Sequence, residues 1–122
     1  MGIRKSGNAG LVTTTGGNDL CHTMPTGRTA KIVKIMAYNA TGANVTLQFG
    51  TLDRATPAAF VQLLPTLVAI NGFDNVWEED ELPAIEFASD TTAGANGRTG
   101  DIYVLASAAG VVVSIEVEEE GA

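Results

Sequence analysis

A chain of 122 residues with 45% hydrophobic and 17% charged side chains holds enough apolar material for one domain with its own core, and is too short for two ordinary ones. A single cysteine rules out an intrachain disulfide, a single histidine rules out a multi-histidine metal site within one chain, and the longest apolar run, Ala108–Val113, is far below a membrane span. The net charge of −7 is unevenly spread: the first 50 residues carry five cations against Asp19 alone, the remainder Arg54 and Arg98 against thirteen acids.

That asymmetry suits head-to-tail contacts between copies or a basic end turned towards an acidic partner, unless folding intermixes the two halves. Too few cations cluster to follow a phosphate track, so nucleic acid is not an expected partner. The low overall charge leaves part of the surface to be covered by partners. No charged start followed by an apolar stretch opens the chain, so neither secretion nor a membrane location is expected.

Residues 1–27 are set apart by Gly2, Gly7, Gly10, Gly16, Gly17 and Gly27 and the run Thr13–Thr14–Thr15, with Leu11, Val12 and Leu20 almost the only apolar side chains. Glycine loses much entropy on ordering, so this segment reads as an extended arm or tail, ordered only where something holds it. From Arg28 onwards a single β-domain, 28–122, is expected. Ala30–Tyr38 is rich in β-formers, but Lys31 and Lys34 cannot share one face of a regular strand; either a bulge lies between them or one lysine snorkels. Asn39–Asn44 supplies turn residues, and Val45–Gly50 alternates Val45, Leu47 and Phe49 inward with Thr46 and Gln48 outward, which predicts a hairpin with the preceding strand.

Thr56 and Pro57 could start a helix, but Pro65 stops it after about two turns, so a strand over Phe60–Leu64 is preferred. Thr66–Ile70 follows, ended by the turn signal Asn71–Gly72. Beyond Val76–Trp77 and the acidic run Glu78–Glu81, Ala84–Phe87 reads as a short strand and Ser89–Gly100 as an exposed loop. Asp101–Ser107 and Val111–Glu118 then predict a terminal hairpin across Ala108–Ala109–Gly110, with Val111, Val113, Ile115 and Val117 on one side and Ser114, Glu116 and Glu118 on the other. The whole is an all-β pattern of about seven to eight strands, an antiparallel β-sandwich or jelly-roll-like barrel.

Candidate chemistry is sparse. Cys21–His22 is the one tempting pair, but adjacent residues on a regular strand point to opposite faces and would not form a thiolate–imidazolium dyad. Glu78–Glu81 lacks the spaced ligands and glycine of a dedicated calcium loop and reads as a solvated corner. Glu116 and Glu118 sit on an open sheet face, where solubility explains them better than acid–base work. Asn39–Ala40–Thr41 and Asn44–Val45–Thr46 match a glycosylation pattern but read as turns. Gly94–Gly97 is followed by no helix and is not a phosphate loop. Trp77 and Phe73 could form a carbohydrate platform if exposed; with aromatics at only 6%, a core role for both is expected. No enzyme, cofactor or small-molecule ligand is expected.

The Gly/Thr-rich start at Gly7–Gly17, the β-core from about Arg28 to Glu119, and Leu64–Gly72 leading to Trp77–Pro83 together resemble the small head decoration, or capsid cement, proteins of tailed bacteriophages. The resemblance implies a structural virion protein, needing no catalytic groups, that trimerises, binds the major capsid protein on the shell exterior and bridges capsomers. It implies Arg4, Lys5, Leu11, Val12 and Arg28 as residues contacting the shell or a sister subunit. A sugar- or receptor-binding β-sandwich, a small jelly-roll enzyme, which the single histidine disfavours, and a tail or connector component remain the alternatives.

Overall fold

The computed structural model describes residues 12–23, 29–52, 60–88 and 101–120. They form ten strands: β1 Val12–Thr15, β2 Asn18–His22, β3 Thr29–Tyr38, β4 Val45–Leu52, β5 Phe60–Gln62, β6 Leu67–Ala69, β7 Asp74–Glu78, β8 Glu86–Ala88, β9 Ile102–Ala106 and β10 Ala109–Glu120, with one 3-10 turn at Glu79–Glu81. One sheet runs β1-β10-β3-β7 with β8 also on β3; the other runs β2-β9-β4-β5 with β6 also on β4. Every pairing is antiparallel.

β5 and β6 pair with opposite ends of the same edge of β4, and β7 and β8 do so on β3, so ten strands lie along eight lines. Numbered along the chain, the lines follow the order 1-8-3-6 in one sheet and 2-7-4-5 in the other. That is jelly-roll order, in which the chain repeatedly crosses between two facing sheets. The expected all-β sandwich is therefore present.

Neither expected hairpin forms. β9 lies in one sheet and β10 in the other, and the same holds for β4 and β3. Alternation tells which face of a strand is apolar; it does not tell whether the next strand hydrogen-bonds beside it or faces it across the core. The crossing between β9 and β10 is tied to both sheets. The Ser107 N–H donates to the Thr46 carbonyl on β4, and the Thr14 hydroxyl on β1 donates to the Ala108 carbonyl.

Within the strands the periodicity holds. Val111, Val113, Ile115 and Val117 are buried, as are Val45, Leu47 and Phe49 in the other sheet. The two-lysine irregularity on β3 is a bulge: Glu116 pairs with Lys34 but Val117 pairs with Ile32, leaving Val33 as the extra residue. The break between β7 and β8 falls at the same place, and the Glu79–Glu81 turn fills it. Over Phe60–Leu64, β5 covers Phe60–Gln62 and Leu64 drops into the core.

The arm expected over 1–27 is corrected for residues 12–22, which form β1 against β10 and β2 against β9. Side-chain hydrogen bonds hold these strands where apolar residues are few. The inward Thr14 hydroxyl also accepts from the Val111 N–H, and the Asp19 carboxylate accepts from the Thr15 N–H and hydroxyl, both at 3.0 Å, across the Gly16–Gly17 turn. Gly16 has φ +86°, which favours glycine there. Residues 1–11, and the loop expected over Ser89–Gly100, lie outside the described residues.

Gly50 on β4 is packed so closely that a Cβ would fall on the Val61 carbonyl of β5. Gly50→Ala should therefore destabilise by about 1–3 kcal/mol through forced separation of β4 from β5. Urea unfolding followed by Trp77 fluorescence measures this, and an unchanged midpoint would contradict the packing.

Candidate functional site

Strict alternation would send Cys21 and His22 to opposite faces, but β2 carries a register shift between Leu20 and His22, and both side chains are buried. This corrects the expected divergence without making a dyad. The His22 Nε2 lies 2.8 Å from Glu119 Oε1, joining the ends of β2 and β10 across the sandwich. Burial pushes the Cys21 thiol up to about 12, helped by the charge of Asp19, so at neutral pH it is a protonated thiol and a poor nucleophile. Glu119 is 1% exposed, and its second oxygen, Oε2, has no hydrogen-bond partner among the described residues. Glu119 continues the inward series 111, 113, 115, 117 by one step, so its burial was foreseeable from the period alone.

A second polar cluster fixes the loops at the other end of β3. Asn39 is fully buried; its amide donates to the Ala43 and Ala69 carbonyls at 2.9 and 2.7 Å, and its oxygen accepts from the Thr41 N–H and hydroxyl. Its backbone bonds to Phe73 and Gly72. Asn71 accepts from the Gly42 N–H and donates its own N–H to Asn44, while the Asn75 amide bridges both the N–H and carbonyl of Ile70. Gly72, at φ +85°, completes the expected Asn71–Gly72 turn, which carries the chain from one sheet to the other rather than closing a hairpin. Every polar atom of the Asn39 side chain is used, which a buried amide in low dielectric requires. The Asn39–Ala40–Thr41 pattern is thus a structural knot.

This knot holds an apolar surface. Among the described residues seven large apolar side chains are exposed: Leu20 on β2, Val68 on β6 in the other sheet, Ile70 and Phe73 around the Asn71–Gly72 turn, and Met36, Tyr38 and Val76 on the outer face of β3 and β7. Met36 pairs with Val76, Tyr38 with Asp74, and Val112 stands beside Tyr38 on the other flank. Met36, Tyr38, Asp74, Asn75, Val112 and Ser114 line a shallow open depression there.

Further along the same outer face the character changes. Lys34 lies between Glu116 and Glu78, and Lys31 between Glu118 and Glu86, each lysine at register positions flanked by two acids. Lys31 also reaches Glu79 at 3.2 Å. The acidic run is a solvated corner with a partner, worth little as a single exposed ion pair. One sheet face thus has an apolar end and an acidic end.

Of the residues expected to meet a partner, Val12 is half-buried and packs against the core from β1, so its side chain serves the sandwich; Arg4, Lys5, Leu11 and Arg28 lie outside the described residues. Trp77 packs partly buried against the core. Phe73, expected in the core with it, is instead 64% exposed, because it sits on the turn after Gly72 rather than on an inward strand position. The outward pair Met36 and Tyr38 was readable from the period-two alternation with inward Ile35 and Ala37.

No family model, curated protein or solved structure matches this chain.

The thiol gives a direct check on burial. The ordinary value of 9.0 is raised to about 12, so the stability contributed by keeping Cys21 protonated is complete below pH 9 and is lost as pH rises towards 12. Folded protein at pH 8 should resist a disulfide-exchange reagent that labels it at once in urea, and Cys21→Ala should lessen the loss of stability between pH 9 and 12. Rapid stoichiometric labelling of the folded chain would contradict this environment.

Proposed function

We propose that this protein is a structural component that acts by covering and joining surfaces, and that its role is the decoration of a phage capsid exterior, as a trimer on the major capsid protein. The observation that carries the reading is the grouping of Met36, Tyr38, Val76 and Val112 at one end of the outer face of β3, β7 and β10, beside loops cross-tied by Asn39, Asn71 and Asn75. Scattered exposed apolar side chains need no explanation; a group of them on a pre-ordered backbone suits burial against another protein, because little entropy is lost when the partner arrives. The neighbouring acidic end, with Glu78, Glu86, Glu116 and Glu118, gives the contact a polar rim and an orientation.

Tyr38 and Phe73 support a second reading, a sugar- or receptor-binding surface. They are 49% and 64% exposed, and Asp74 follows Phe73 and pairs with Tyr38, so two rings and a carboxylate share one rim. This reading called for an exposed Trp77, which instead packs partly buried against the core.

Size-exclusion chromatography with light scattering separates the two. The joining role predicts a particle of three chain masses, converted to single chains by Met36→Asp with Val76→Asp. A monomer at all concentrations that binds glycans through Tyr38 and Phe73 would establish the second reading in its place.

A further inference from the structure

Asn71–Gly72 is one of two Asn–Gly pairs in the sequence, the other being Asn96–Gly97. Such a pair is prone to modify itself, because asparagine is chemically labile and glycine has no side chain to hinder its own backbone nitrogen. In that reaction the Gly72 nitrogen gives up its proton to base and attacks Asn71 Cγ. The new N–C bond closes a succinimide ring, and the side-chain nitrogen leaves as ammonia. Water then opens the ring at either carbonyl, giving aspartate or isoaspartate at position 71.

In the folded chain both reacting groups are held. The Gly72 N–H donates to the Asn39 carbonyl at 2.7 Å, and Asn71 Oδ1 accepts from the Gly42 N–H at 2.8 Å. These contacts act in opposite directions: a donor on Oδ1 draws electrons from Cγ and favours attack, whereas a bond that uses the Gly72 proton keeps its nitrogen from becoming the nucleophile. The second decides, because without loss of that proton no attack follows. The rest of the turn is braced as well. The Asn71 N–H donates to Asn44 at 3.0 Å, and the Asn75 side chain holds the N–H and carbonyl of Ile70 and the carbonyl of Phe73. Asn39 is itself buried and tied to Ala69.

We propose that Asn71 is a deamidation site gated by the Asn39 knot: closed in the native turn, it reacts when the turn opens and Gly72 parts from Asn39. Isoaspartate at this position routes the main chain through the former side chain and lengthens it by one methylene, so the turn cannot close again in its present register. Phe73, exposed and directly after Gly72, moves with it. Opening is reversible and the modification is not, so the turn keeps a chemical record of having opened. The inference needs no partner and stands apart from the proposed covering role.

Peptide mapping of aspartate and isoaspartate at position 71 tests this, on full-length protein held at pH 8 either folded or in urea. In urea Asn71 should convert about as fast as Asn96; in the folded protein it should convert about tenfold more slowly or less, because reaction waits for opening. Asn75→Ala, which releases the brace, should raise the folded rate several-fold, with Trp77 fluorescence reporting that the variant is folded. Asn44→Ala, which removes one exposed hydrogen bond, takes its place should Asn75→Ala not fold. Conversion of the folded protein at the urea rate would overturn the proposal, as would a folded variant, its turn released, that converts no faster than the parent chain.

Discussion

The inward stripe of β10 is the constraint on which the architecture rests. Val111, Val113, Ile115 and Val117 are each almost wholly removed from water, and burial of a side chain of this size stabilises by about 1.5–3 kcal/mol. β10 lies between β1 and β3 in its own sheet, so the same strand that supplies this stripe also organises the sheet around it. The apolar stripe on β4, Val45, Leu47 and Phe49, belongs to the other sheet. Once both stripes must meet, β9 cannot pair beside β10, and the connections have to cross from sheet to sheet.

Crossing at both ends leaves the sandwich with turns that must satisfy their own polar groups. At the Asn39 end this is done by asparagine side chains that imitate backbone, and the loops are fixed by hydrogen bonds rather than by apolar packing. In consequence the apolar residues on these turns, Ile70 and Phe73, are held outward on a well-braced frame. At the opposite end His22 and Glu119 close the space between the sheets. A buried ionisable pair is a costly way to close a core, since removing one partner strands the other.

Much of the fold was legible in the residues, for reasons that can be named. Alternation from Val45 to Phe49 and from Val111 to Val117 identified strands and their inner faces, because a half-buried sheet imposes period two. The awkward spacing of Lys31 and Lys34 announced the Val33 bulge, since two outward lysines at odd separation need an extra residue between them. Partner choice was not legible: strands next to each other in sequence can pair or face one another, and local pattern is the same in both cases. β1 and β2 were hidden because Thr14 and Asp19 hold them through hydrogen bonds, which leave no apolar signature. Glu119 was readable as the next inward step but is charged, and charge usually means solvent. The apolar end of the outer face was not legible because Met36 and Val76 become neighbours only through the long-range pairing of β3 with β7.

The proposed joining role requires that the outward residues of β3 and β7 and the turn before β7 be covered when a partner binds. Hydroxyl-radical footprinting of the full chain, in its assembled form and after dissociation by dilution, measures that directly, with exposed Leu20 on β2 as the internal reference. The account predicts that Met36, Tyr38 and Phe73 oxidise several-fold more slowly in the assembly while Leu20 is unchanged. Equal oxidation of these side chains in both states would contradict it.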